Sequence, residues 1–255
     1  MKNYLYYYKQ TLVNFINKTY LSNIIIDLII ILRLYYFLLP HDSDFYAIIN
    51  FKQYILGKDI LDVGGHKGLA SLSIRYLGFK KNFIHIFEPN IKSLRFIQRI
   101  KDKKMKLYNF ALSDKNKLGG TLVIPKKYFL HSSEATLESN KLIHWKNTKN
   151  VVFLKENIKL KKYDSIKNKK KIGFIKIDAE GHEHRVLLGM IKTIKKNLPI
   201  IMVEFDKNNF KTISKYFKKD YFIKKYNYKL NTFSNFKYTD KKKNYFLIPK
   251  KINFT

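Results

Sequence analysis

Cysteine is absent from the 255 residues, which excludes disulfides and thiolate-held zinc or iron–sulfur centres. Tryptophan occurs once, proline five times and glycine ten times, so neither a collagen-like nor a Pro/Gly-rich disordered chain fits. Arginine is scarce: Arg33, Arg75, Arg95, Arg99 and Arg185 are the only ones among 51 basic residues. Acids number 19, which leaves a formal net charge of +32. Such an excess is the usual footprint of a nucleic-acid binder. A base-reading surface, however, relies on guanidinium forks, and this chain is rich instead in Lys, Asn, Ile, Tyr and Phe, whose codons are A/T-rich. The excess therefore reads as lysine at surface positions. A specific nucleic-acid role is not expected, whereas diffuse attraction to anionic partners or anionic lipid is.

Long apolar runs are also missing. Ile24–Leu39 spans 16 residues, is interrupted by Asp27 and Arg33 and stops at Pro40. That falls short of the ~20 residues a spanning helix needs, and a central aspartate costs ~2.5–3.5 kcal/mol on insertion. The two charges lie about 240° apart on a helical wheel, so they build no common polar face. No small-residue cleavage site follows, so a signal peptide is not expected. A helix packed on the domain, an in-plane membrane helix and a spanning helix stay open, in that order. Residues 1–48 are set apart as an N-terminal helical extension, and residues 49–255 as the main domain.

What is present is an alternation of short strands and helices. Asp59–Val63, Phe83–Phe87 and Lys106–Phe110 read as strands, with helices over Leu69–Leu77 and Ile91–Ile100 between them. Gly119-Gly120 is expected to open a hairpin through Thr121–Ile124, and residues 126–150 to form an irregular flap over the site. Gly173–Ile177 and Ile200–Phe205 read as strands around a helix from His184 to Lys195. Tyr221–Asn227 and Asn244–Ile248 read as two strands joined by a lysine-rich connection. The alternation predicts a doubly wound, mostly parallel α/β sheet with an antiparallel C-terminal strand.

Three clusters carry chemistry. Asp62-Val63-Gly64-Gly65-His66-Lys67-Gly68 follows a strand and precedes a helix, where glycines let the backbone approach a ligand and the helix start offers free N–H groups. Glu88 ends the second strand, 24 residues after Gly64, close to the spacing at which an acid meets ribose hydroxyls. Loop and acid together point to an adenosine-containing ligand. The third cluster, Phe174–Glu183, delivers Asp178 and Glu180 to the same sheet edge, and Glu204 adds another carboxylate. Paired carboxylates can orient an acceptor or take a proton. His182 and His184 point apart on a helix, and neither cysteine nor HExxH spacing helps them, so no metal is expected.

In this order the motifs resemble the FkbM-type family of S-adenosylmethionine-dependent methyltransferases, of class I methyltransferase fold. They are Asp62–Gly68, Phe87-Glu88-Pro89, Asn109–Asp114, Lys176–Glu183 with Leu188-Gly189, and Pro199–Glu204. The resemblance covers roughly Asp59 to Phe205, and Asn244–Pro249 fits a final strand. The common family loop has Ala-Asn where this chain has Gly65-His66. The resemblance implies that Asp62, Gly64 and Gly68 hold the methionine part of S-adenosylmethionine and Glu88 its ribose, with Gly65 and His66 also among the cofactor-binding residues. Asn109, Ala111 and Leu112 would border the adenine. Asp178 and Glu180 would face the acceptor, with His182 the second choice of base. It further implies O-methylation of a hydroxyl on a sugar, glycan precursor or other small metabolite.

Three other readings compete, of which a membrane-associated scaffold without activity is disfavoured by the retention of all five motif acids. An NAD-linked oxidoreductase is disfavoured because position 66 is histidine where GxGxxG needs glycine. A basic RNA-binding protein or RNA methyltransferase would need lysines gathered on one face with interleaved aromatics, whereas the lysine runs at 169–171 and 241–243 read as solvated loops. A cytoplasmic enzyme is expected, with peripheral contact to an anionic inner-membrane face through the N-terminal segment left open.

Overall fold

The computed structural model describes residues 42–127, 130–131, 135–138, 151–167, 170–205, 207–235 and 244–252, with Leu28, Leu32 and Pro40 before them. The reading of the Ile24–Leu39 run thus falls almost wholly outside the described residues. Among those described, no helix is long and apolar enough to cross a membrane.

The first strands are β1 (Asp59–Val63), β2 (Ile84–Phe87), β3 (Met105–Tyr108) and β4 (Ala111–Leu112). They are followed by β5 (Lys117–Lys127), β6 (Leu130–His131), β7 (Val151–Lys161) and β8 (Ile172–Ile177). The last are β9 (Ile200–Glu204), β10 (Tyr221–Asn227), β11 (Thr232–Asn235) and β12 (Asn244–Pro249). Eight of them form the main sheet in the order β11-β10-β12-β9-β8-β1-β2-β3. From β9 to β3 all neighbours are parallel, and β12, β10 and β11 run antiparallel at one side. β1, β2 and β8 are buried along their whole length, as expected of parallel strands covered on both faces.

Period-2 alternation splits the core. Ile60 packs with Ile48, Phe51, Ile74 and Ile97 on one face, while Leu61 and Val63 pack with Val186, Ile194 and Phe217 on the other. A 3-10 helix over Ser43–Phe51 joins the first of these, burying Phe45, Ala47, Ile48 and Phe51. The helix Ile91–Ile100 begins where predicted because Asn90 Oδ1 accepts from the N–H groups of Lys92 and Ser93 at 3.0 and 3.5 Å.

Several expectations are corrected. Gly119-Gly120 is no turn: both lie inside the 11-residue strand β5, beside a register shift. A Cβ at Gly120 would stand 2.9 Å from Leu160 Cγ on the paired strand, so glycine is needed there for space. The supposed flap is in part a second sheet, of order β4-β7-β5-β6, with Lys126 and Lys127 inside β5. Residues 139–150 lie outside the described part. The predicted helix at 184–195 is two, Glu183–Gly189 and Ile191–Asn197, separated at Met190. The lysine-rich connection near the C-terminus carries β11, and a helix over Lys207–Phe217 was not anticipated.

Candidate active site

The chain passes from β1 outward through β2 and β3, then returns to lay β8 and β9 on the other side of β1. The order therefore reverses at the β8–β1 boundary, where open α/β sheets bind ligands beyond the carboxyl ends of their strands. The carboxyl ends of β8, β1 and β2 are neighbours, so the glycine loop after β1 sits between Asp178 on one flank and Glu88 on the other. A cavity here is walled by Gly64, Gly65, His66, Glu88, Asp178 and Glu180, with Phe87, Ala111, Leu112, Leu122 and Leu137 on its apolar side.

The loop is built by close packing. Gly64 has φ 76°, and a Cβ there would lie 1.8 Å from the carbonyl oxygen of Asp178. The Asp178 N–H reaches back to Val63 O at 3.0 Å, which fastens the β8 end to the β1 end. His66 takes a left-handed φ of 42°. Its backbone N–H donates to Glu88 Oε2 at 2.7 Å, and the Asn90 N–H donates to Glu88 Oε1 at 2.8 Å. Burial pushes the Glu88 carboxyl up from the ordinary 4.5 to about 7, against the opposing pull of those two N–H groups and of Lys176.

Lys176 is the residue to which the sequence reading gave no role. It stands near the end of β8 with its side chain 10% exposed, its Nζ donating to Gly64 O at 3.1 Å. Asp178 Oδ2 lies 3.3 Å away and Asp62 Oδ1 3.7 Å. Burial disfavours the ammonium, but Asp178 and Asp62 outweigh it and hold its pKa above the ordinary value. One buried cation thus ties the loop carbonyl, the strand-end aspartate and the cavity-facing aspartate together. A lysine interrupting the apolar strand Ile172–Ile177 was the available signal.

His182 is clamped. Its Nδ1 lies 2.8 Å from Glu138 Oε1 and its Nε2 3.0 Å from Ser113 Oγ. Burial lowers its pKa, with Arg185 and His184 adding to the effect and Glu138 opposing it. A neutral ring fits this, with Nδ1–H donating to Glu138, while Nε2 and Asp114 Oδ1, each 3.0 Å from Ser113 Oγ, compete for its one hydroxyl proton. Arg185 closes the circuit, reaching Asp114 Oδ2 at 3.1 Å and Glu138 Oε1 at 3.5 Å. Thr136 Oγ1 donates to Glu180 O at 2.7 Å, and its backbone exchanges two 2.9 Å bonds with Val123. The segment 135–138 is therefore tied over the cavity from the second sheet. Its contact to His182 crosses 44 positions of sequence, a separation that no local pattern betrays.

The structure gathers Gly64, Gly65, His66, Glu88, Ala111, Leu112, Asp178, Glu180 and His182 around one cavity. Asp62, Gly68 and Asn109 are not on its wall. Asp62 is fully buried behind the loop, where its Oδ2 accepts from Ser71 Oγ at 2.6 Å. Gly68 shapes the turn into the next helix, and exposed Asn109 donates to the carbonyls of Glu88 and Pro89. Gly189, in the leucine-glycine pair, is explained by space: a Cβ would lie 1.8 Å from Ser113 O. Among the described residues, Asp178, Glu183 and Glu204 bring one carboxylate oxygen each within 4.8 Å of one another. Glu183 Oε1 already accepts the N–H groups of Ala179 and Gly181, both at 2.9 Å.

Residues 62–230 match the family described as Methyltransferase FkbM domain. Among solved structures the chain is similar to methyltransferase FkbM from Methylobacillus flagellatus KT, with 14% identity and a TM-score of 0.47 over 79% of this chain and 47% of that one. It thus spans about half the length of that protein. It is also similar to a precorrin-6y C5,15-methyltransferase from Geobacter metallireducens GS-15, at 10% identity and TM-score 0.36 over 79% of this chain and 84% of that one. A fibrillarin/Nop5p complex matches at 13% identity and TM-score 0.36, over 74% of this chain and 70% of that one. No curated protein matches the sequence.

Proposed function

The chain belongs to the FkbM methyltransferase family, and from that membership we propose that it is an S-adenosylmethionine-dependent O-methyltransferase. Its acceptor in this reading is a hydroxyl of a sugar, a glycan precursor or another small metabolite. The observation that carries the proposal is the cavity at the β8–β1–β2 strand ends, with Glu88 and Asp178 on either flank of the glycine loop.

The residues present suit the donor. Each oxygen of Glu88 accepts one backbone N–H, and a carboxylate oxygen has capacity for a second bond, enough to take a vicinal pair of ribose hydroxyls. Phe87, Leu112 and Leu137 supply apolar walls for the adenine, and Gly64 and Gly65 present bare backbone to the methionine part. When bound, the donor supplies a methyl group already activated on a sulfonium.

What remains for the protein is alignment and one proton transfer. Asp178 is the carboxylate assigned to the acceptor: its side chain is 41% exposed, it lines the cavity, and Lys176 Nζ holds it from behind. An acceptor hydroxyl bound here would donate to Asp178, which takes its proton as the methyl group passes to the hydroxyl oxygen and the sulfonium leaves as a neutral thioether. Glu180 stands beside it to orient the acceptor. His182, with both ring nitrogens engaged, positions the wall rather than accepting the proton.

The test is transfer from methyl-labelled S-adenosylmethionine to a panel of free sugars, sugar nucleotides and bulk RNA. The expected result is alkali-stable label in a hydroxyl compound, reduced at least 100-fold by Asp178→Asn, in the range of general-base effects of ~10²–10⁴. Label only in RNA overturns the acceptor class. Full activity of Asp178→Asn overturns the assignment of the base.

A further inference from the structure

The parallel strands all begin at the pole opposite the cavity, and four of the five are entered by a basic or aromatic residue. Lys58 precedes β1, Phe83 precedes β2, Lys104 precedes β3 and Lys171 precedes β8. The antiparallel strands extend the same pole. Asn244 pairs with Glu204 at the far end of β12, so Pro249 and its partner Tyr221 come out here, bringing Phe222, Lys250 and Lys251. From β10 to β3 this face crosses seven strands, roughly 30 Å at ~4.8 Å per strand.

Its lysines are organised around rings. Lys170, Lys106 and Lys104 place Nζ at 4.0, 5.3 and 5.9 Å from the centre of Phe83. Lys58 and Lys251 stand 3.5 and 5.8 Å from the ring of Tyr54. Lys224 and Lys250 stand 5.5 and 5.6 Å from Phe222, which is 40% exposed. Of the carboxylates at this pole, Asp59 is buried against His85 at 2.8 Å, and half-exposed Asp102 is neutralised by Arg75 at 2.8 Å. Burial pushes the Lys58 pKa down, and the neighbouring charges of Lys251 and Lys171 add to it.

We propose that this pole is a docking face for an anionic membrane surface, which would hold the protein with its cavity turned away from the lipid. The chemistry favours lipid over nucleic acid. Aromatic rings collared by ammonium groups on long apolar stems match the headgroup zone, where rings and stems sit in the apolar boundary and the charges meet phosphate. Base stacking wants open ring faces, and bidentate phosphate recognition wants arginine. Here the rings are capped by lysine, while Arg75 and Arg185 are spent on Asp102 and Asp114. Nothing in this inference depends on the methyl-transfer reading.

The test is co-sedimentation of the full chain with vesicles of phosphatidylcholine containing 30% phosphatidylglycerol, at 0.15 M salt. Two variants of equal net charge are compared: Lys104→Glu/Lys106→Glu/Lys170→Glu at the pole, and Lys117→Glu/Lys155→Glu/Lys159→Glu on the second sheet. Each lysine near a charged bilayer is worth roughly fivefold in partitioning. The pole variant, which loses three lysines and adds three acids, is therefore expected to bind more than a hundredfold more weakly than wild type, and the second-sheet variant less than tenfold. The milder Lys104→Gln/Lys106→Gln/Lys170→Gln, which adds no acid, should fall between wild type and the pole variant. Equal losses in the two triple-Glu variants overturn the proposal, because net charge alone then accounts for binding. It is overturned as well if the pole variant keeps its vesicle binding and instead loses binding to single-stranded RNA.

Discussion

At the carboxyl ends of the parallel strands the charged groups are few and individually partnered, with Glu88, Asp62 and Lys176 buried and Asp178 open to the cavity. Glu88 takes two backbone N–H groups, Asp62 takes Ser71, and Lys176 holds Asp178 and the Gly64 carbonyl. At their amino ends the charges are lysines at 3.5 to 5.9 Å from ring centres. The first arrangement fixes atoms for chemistry, because buried groups interact strongly and cannot reorient into water. The second suits adhesion: each flexible ammonium is replaceable by its neighbour, and salt screens such exposed charges within about 8 Å at physiological strength. One fold thus separates a pole where single residues matter from a pole where only their sum does.

The largest effect should come from the fixed pole. Gly64→Ala would press a methyl onto Asp178 O from a backbone with φ 76°. Overpacking of ~1–3 kcal/mol and left-handed strain of ~1–2 kcal/mol add to roughly 4 kcal/mol, a fall of ~10 °C in Tm for a chain of this size. A thermal melt within 2 °C of wild type would show that the two strand ends are not packed as described.

A smaller effect sharpens the comparison through pH. Glu183 is 2% exposed, and burial raises its carboxyl from 4.5 to about 7. The folded protein therefore keeps a proton that the unfolded chain releases. The contribution favours folding at low pH and is lost as pH rises through 7. At about 1.4 kcal/mol per pH unit, wild type should lose some 2–3 kcal/mol from this group between pH 5 and pH 8. Glu183→Gln should lack that loss in urea titrations at the two pH values. Parallel pH profiles for both proteins would remove the account of its burial.

Most of the sheet could be read in advance because buried parallel strands are continuous apolar runs and helix starts carry caps. Asp59–Val63 and Ile91–Ile100 fall where expected for those reasons. The second sheet escaped because it is made by pairing β5 with β7 across the intervening chain, and because Val151–Lys161 keeps only Ile158 and Leu160 buried, which leaves little apolar signal of a covered face. The glycine loop, Glu88 and Asp178 were legible because their chemistry lies at strand ends. The clamp of Glu138, Ser113 and Arg185 on His182 was not, since it joins segments that only tertiary packing brings together. Asp62 shows the converse: its place in a motif suggested contact with a ligand, while burial gives it Ser71 and Lys176 instead. The basic pole was read as surface drift because a lysine count carries no direction, and only the strand register gathers Lys58, Lys104, Lys170 and Lys250 at one end.

The smallest expected effect is that of the pole lysines on the fold and on the site, since exposed substitutions usually change stability by less than ~0.5 kcal/mol each. The most direct test of the division is calorimetric titration of S-adenosylhomocysteine into three proteins: wild type, Glu88→Ala and Lys104→Glu/Lys106→Glu/Lys170→Glu. Micromolar binding is expected in wild type, unchanged within twofold in the lysine variant and weakened at least tenfold by Glu88→Ala. Binding that survives Glu88→Ala, or that falls with the lysines, would contradict the account.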